Sequence, residues 1–131
     1  MLNPIVNRLN IFRHANTTTV PAGHVVFNEG DLGQHMYAIV EGSVEIREGD
    51  ILLDTLGAGD YFGEMALIDK SPRSATAIAK TETKLAEVDL TGFQRLVAQT
   101  PYFALDVMST MAERIRRANA RIAGSSHKHA S

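Results

Sequence analysis

Apolar residues change their spacing twice along this 131-residue chain. Over residues 1–16 they recur at helical intervals: Ile5, Leu9 and Phe12 are four and three apart, and Pro4 suits a first helical turn. That pattern predicts a short helical lead-in. Over residues 17–89 the spacing shortens into β-rich runs: Thr17–Val20, His24–Phe27, Met36–Val40, Val44–Arg47, Ile51–Leu56, Ser74–Ala79 and Leu85–Asp89. Turn-formers separate them, among them Ala22-Gly23, Glu29-Gly30-Asp31, Glu41-Gly42, Glu48-Gly49-Asp50 and Gly57-Ala58-Gly59-Asp60. Gly30, Gly33, Gly42 and Gly59 read as turn glycines that need positive φ. Short strands with regular punctuation predict a mainly β domain with flanking α, either a sandwich or a jelly-roll barrel.

From residue 90 the period returns to that of a helix. Thr91 is placed to cap Gly92–Ala98, and Pro101 to open a second, longer helix after Thr100. In it Ala104, Met108, Met111, Ile115, Ala118 and Ile122 recur at spacings of 4, 3, 4, 3 and 4. Such an a/d stripe either packs on the barrel or forms the seam of a symmetric homodimer, and the two are compatible. Gly124 is read as the end of the helix and residues 125–131 as a disordered polar tail. One domain over 1–124 is expected: an N-terminal helical segment (1–16), a β-roll (17–89) and C-terminal helices (90–124).

Composition narrows the classes. Hydrophobic residues make up 44% and charged residues 21% of the chain, ordinary for a folded soluble domain. The absence of cysteine excludes disulfides, thiolate zinc sites, iron–sulfur clusters and cysteine nucleophiles. No apolar run is long enough to span a membrane and the start lacks a secretory segment, so a cytoplasmic location is expected. The net charge of −2 is uneven: residues 1–109 hold 8 basic and 14 acidic side chains, residues 110–131 hold 5 and 1. Arg114, Arg116, Arg117 and Arg121 read as a solvated helix end that complements the helix dipole, or more weakly as a nucleic-acid or membrane patch.

One stretch departs from the alternating β pattern: Phe62-Gly63-Glu64-Met65-Ala66-Leu67-Ile68-Asp69-Lys70-Ser71-Pro72-Arg73-Ser74-Ala75-Thr76-Ala77. A glycine frees the backbone, about one turn of helix follows from Glu64 to Ile68, and Pro72 leads into a strand with an arginine at its mouth. The first N–H groups of a helix have no intrahelical acceptor, and a guanidinium fork matches the oxygens of a phosphate. Ser74 adds a hydroxyl donor, and Ala75 leaves room for its N–H to approach a ligand. Glu64 repels a phosphate, but it suits the hydroxyls of a sugar one group away. The set therefore asks for a phosphate with an adjacent ribose. The plainer alternative is an ion pair between Arg73 and Glu64 that ties the loop to the barrel.

The segment FGEMAL…PRSATA, with PAGHVVFNEGDLG, MYAIVEGSVEI and LGAGDYFGE before it, resembles the cyclic nucleotide-binding domain family, the type found in the catabolite activator protein and the regulatory subunit of protein kinase A. The resemblance covers roughly residues 5–122 and implies an eight-stranded jelly-roll barrel whose phosphate-binding cassette is FGEMAL…PRSATA. It implies that Glu64 binds the ribose 2′-hydroxyl and Arg73 the exocyclic phosphate oxygens. Gly63, Met65 and Ala66 would offer backbone groups, and Ser74 and Ala75 would complete the cradle. By the same resemblance the purine would lie against Ile46 and Leu53, with the long helix closing over it near Ala118 and Asn119. In the family a threonine directly after the arginine accompanies cGMP selectivity, and the catabolite activator has serine there and uses cAMP. Ser74 and an amide at Asn119 favour cAMP, with cGMP as runner-up and pyrimidine nucleotides left open.

The expected function is a cyclic nucleotide sensor that signals through movement of the C-terminal helix, and not an enzyme. No catalytic constellation and no cofactor are expected. Among His14, His24, His35, His127 and His129 only the tail's His-Lys-His has metal-like spacing, and the paired histidines of a metal-dependent cupin are missing from the β region. The seven residues after Gly124 hold no recognition helix, so DNA binding by this chain is not expected and an unidentified effector protein is. The alternatives are a fragment of a larger cyclic-nucleotide-regulated protein and an interaction module that binds no ligand.

Overall fold

The computed structural model describes residues 11–130, with side chains as far as residue 120. In chain order the elements are β1 (Asn16–Val20), β2 (Val25–Phe27), β3 (Met36–Glu41), β4 (Ser43–Glu48), β5 (Ile51–Gly57), β6 (Tyr61–Phe62), α1 (Met65–Ile68), β7 (Thr76–Ala79), β8 (Thr83–Val88), α2 (Leu90–Gln99) and α3 (Tyr102–Ala130). Ile5 and Leu9 of the expected lead-in lie outside the described residues. Phe12, at the end of that segment, is buried in a turn ahead of β1.

The strands pair antiparallel into two four-stranded sheets, in the orders β1-β8-β3-β6 and β2-β7-β4-β5. The jelly-roll expectation holds in this form, but the sheets are not closed into a barrel. The eighth strand is β6, only two residues long, which hydrophobic alternation cannot register. It pairs Phe62 with Tyr37 and Tyr61 with Ala38, then delivers the chain directly to Gly63.

The middle strands of the first sheet, β8 and β3, are buried on both faces. Met36, Ala38, Ala86 and Val88 face a cluster that includes Phe12, Phe103 and Val107, whereas Ile39 and Leu85 face Val44, Leu56, Phe62 and Ala77 between the sheets. Burial on both faces explains why Met36–Val40 reads as one continuous apolar run. Edge-to-face contacts among Phe12, Tyr61 and Phe103, and a 2.7 Å bond from the Tyr61 hydroxyl to Asp106 Oδ2, fix the base of α3 against this sheet.

The helices differ from expectation at their ends. The cap of α2 is Asp89, whose carboxylate accepts the Gly92 N–H at 2.8 Å, and not Thr91. Asp89 has extended backbone and sits one residue beyond β8, where an acceptor meets the exposed first turn. Helix α3 continues through Gly124 to Ala130, because a glycine inside a helix costs only about 1 kcal/mol and no proline follows it.

The a/d stripe is split between two faces. Phe103 and Val107 are buried, and Met111 and Ala118 follow them on the packed side; Ile115 is exposed at the edge of that side, and Met108 is exposed together with Leu105.

Candidate functional site

The segment between β6 and β7 forms a loop around one guanidinium. Gly63 adopts φ 78°, and a Cβ there would lie 2.7 Å from Arg73 Nη1, so only glycine both turns the chain and admits the arginine. Glu64 follows as the residue before α1 and makes no side-chain capping bond. As the first helical residues, Met65 and Ala66 have N–H groups with no intrahelical acceptor. A single turn has little dipole, so its resource for an anion is these N–H donors.

Arg73 is only 7% exposed. Its backbone is held by the loop after β2: its N–H donates to the Asp31 carbonyl at 2.8 Å, and its carbonyl accepts the Gly30 N–H at 2.7 Å. Its side chain donates from Nη1 to the Gly63 carbonyl at 2.8 Å and from Nη2 to the His35 carbonyl at 2.7 Å. The guanidinium carbon lies 4.0 Å from the centre of the Phe27 ring. Nε has no hydrogen-bond partner, and among the described residues no carboxylate forms an ion pair with this arginine. Burial pushes its pKa below the ordinary guanidinium value, against the opposing pull of Tyr37, Glu64 and Asp31. A seated cation with an unused donor is a site for an anion.

Gly33 is not one of the positive-φ turn glycines. It is required by close approach, since a Cβ there would overlap the Arg73 guanidinium. Gly33→Ala is expected to lower stability by about 1–3 kcal/mol in urea unfolding, through displacement of Arg73 from both carbonyls. An unchanged midpoint and slope would show that the arginine moves aside without cost.

Glu64 is also buried, at 4% exposure, and its partner is Arg114 of α3. Arg114 Nη1 donates to Oε1 at 2.9 Å and to Oε2 at 3.3 Å, and Nη2 donates to the Tyr61 carbonyl. This corrects the alternative of an Arg73–Glu64 pair: the two charges belong to separate partnerships. One turn further along α3, Arg117 Nη1 donates to Asp54 Oδ2 on β5 at 2.8 Å. Arg114 and Arg117 are therefore more than a solvated helix end: both are ion-paired to the sandwich, with Arg117 half exposed. Three residues apart on one face, they strap α3 to the acidic sandwich.

These groups surround a cavity of about 440 Å³, within the range of small-molecule sites. Gly63, Glu64, Met65, Ala66, Arg73, Ser74 and Ala75 line one side, Ile46 and Leu53 the sheet side, and Ala118 the helix side. Asn119 is the exception. It is exposed and absent from the lining, because α3 turns Ala118, and not its neighbour, toward the sheet. Sequence reading missed Phe27, Asp54, Phe62, Pro72, Met111, Arg114, Ile115 and Arg117 in this lining. The signal for the arginines was the spacing Met111, Arg114, Ala118, which repeats helically, combined with a basic helix following an acidic domain.

The family model described as cyclic nucleotide-binding domain matches residues 17–100. The chain is 42% identical over 106 residues to a cyclic nucleotide-gated potassium channel of Rhizobium etli, which covers 81% of this chain and 30% of the channel. It is 34% identical over 110 residues to a CRP-like cAMP-activated global transcriptional regulator of Mycobacterium tuberculosis, covering 79% of this chain and 48% of the regulator. The chain thus spans half or less of the length of these relatives. In structure it is similar to the catabolite activator protein of Thermus thermophilus, with a TM-score of 0.81 and 28% identity, over 95% of this chain and 63% of that one. No described helix is long and apolar enough to cross a membrane.

Proposed function

The chain belongs to the cyclic nucleotide-binding domain family, and from that premise we propose that it is a regulatory sensor whose cavity takes a 3′,5′-cyclic purine nucleotide, cAMP ahead of cGMP. The observation that carries this reading is the buried Arg73, which lines the cavity, is held by two carbonyls and has its Nε unpartnered. A cyclic phosphodiester is a singly charged anion that accepts from such a fork. Glu64 retains lone pairs for a hydroxyl after accepting twice from Arg114, so a ribose fits next to the phosphate. Ile46, Leu53 and Ala118 supply apolar surface for a base. Its named relatives, a regulator and a channel, support regulation over catalysis.

The same arrangement ties occupancy to α3. Ligand hydroxyls and Arg114 share the Glu64 carboxylate, so nucleotide biases how α3 lies on the sandwich, to the extent that it binds one arrangement better than the other. The exposed Leu105 and Met108 then present that change to an effector or to a second copy of the chain. Side-by-side calorimetric titration with cAMP and cGMP tests the reading. Tighter binding of cAMP than cGMP is expected, and the absence of heat with either nucleotide would leave an interaction module as the better account.

A further inference from the structure

Resting on that reading, we propose that Asp54 is the base-reading residue of the cavity, accepting a hydrogen bond from the 6-amino group of adenine, and that Arg117 positions its carboxylate. Asp54 stands on β5, the edge strand of the second sheet, two strands from β7. Strand β7 begins three residues after Arg73. Two inter-strand steps span about 10 Å, so a ligand whose phosphate is held at the start of β7 extends across Ile46 on β4 toward Leu53 and Asp54 on β5.

The β4–β5 ladder pairs Ile46 with Asp54 and Arg47 with Leu52, and so carries one extra residue, Leu53. In a regular strand, neighbours point to opposite faces, whereas a bulge re-aims one of them. Here Leu53 and Asp54, consecutive in sequence, both line the cavity. Leu53 and Ile46 are surfaces for a purine plane, and Asp54 is the carboxylate on this same stretch of sheet. Its side chain is 21% exposed and is held from above by Arg117. Oδ2 accepts from Arg117 and Oδ1 accepts the Thr55 N–H at 2.9 Å, and each oxygen keeps a second lone pair for an exocyclic amine. Arg117, at 48% exposure, adjusts to a base without a large desolvation cost.

The test is calorimetry on the full chain with cAMP and with purine riboside 3′,5′-cyclic monophosphate, which lacks the 6-amino group. The unmodified chain is expected to prefer cAMP about ten-fold. In Asp54→Ala that preference is expected to disappear while affinity for the amine-free analogue stays within about three-fold of the parent. Asp54→Asn, which keeps an acceptor, retains part of the preference, and Arg117→Ala narrows it. Equal losses for both ligands, or no change in the cAMP preference, would overturn the proposal and leave the pair as a strut under α3. Failure of the unmodified chain to bind either nucleotide is a separate result, visible without any variant, and it would remove the functional reading together with this inference.

Discussion

Replacing Arg73 by alanine is expected to weaken cAMP binding by at least about ten-fold, and toward a hundred-fold or more, because a charge-assisted fork contributes roughly 1.5–3 kcal/mol per hydrogen bond. The arginine is prepared for an anion before any ligand arrives. The Gly63 and His35 carbonyls and the Phe27 ring fix its plane, and its charge has been taken out of water without a carboxylate ion pair among the described residues. An anion that reaches Nε relieves an existing electrostatic demand. Lysine is not a substitute, since a point charge with one ammonium cannot hold two carbonyls and present a planar fork at once. Arg73→Lys is therefore expected to resemble Arg73→Ala more than the parent. Both variants also strip a donor from two carbonyls, so melting temperature is measured alongside calorimetry. Unchanged affinity in a folded Arg73→Ala protein would contradict the assignment.

The second large effect is expected at Glu64. Its carboxylate lines the cavity and accepts from Arg114 of α3, and the proposed function gives it a ribose hydroxyl as a further donor. Glu64→Ala should reduce affinity for cAMP about ten-fold or more, and reduce affinity for 2′-deoxy-cAMP far less. It also leaves Arg114 with only the Tyr61 carbonyl, so α3 loses one of its ionic contacts with the sandwich. Removing one member of a largely buried pair costs up to about 3–5 kcal/mol, reduced here because Arg114 is partly exposed to water. Faster amide exchange around residues 111–118 is the accompanying signature. Equal losses on the ribose and deoxyribose ligands would remove the hydroxyl-binding role and leave Glu64 as an anchor for the helix alone.

The parts of the fold that alternate or repeat were readable from the chain. Met36–Val40, Val44–Arg47 and Ile51–Leu56 stand within a residue of their observed strands, because burial of their faces demands the apolar pattern they carry. The two-residue β6 was invisible to pattern, although its tyrosine and phenylalanine seed both cores. Asp89 was missed as a cap because it closes a β run and opens a helix at once. The cassette was readable as chemistry, since glycine, carboxylate, arginine and serine occur within a dozen residues. The opposite wall was not. Arg114 and Arg117 meet Glu64 and Asp54 across 50 and 63 residues of sequence, and only the docking of α3 through Phe103, Val107 and Asp106 sets which helix face turns inward. Asn119 lies outside the cavity lining for the same reason, being one position away from the face that points at the sheet.

The most direct measurement is a crystal structure of this chain with cAMP. The account predicts phosphate oxygens within hydrogen-bond distance of Arg73, one of them on Nε, at the roughly 2.7–2.9 Å of charge-assisted bonds. A bound nucleotide whose phosphate lies away from Arg73, with Nε still unpartnered, would contradict it.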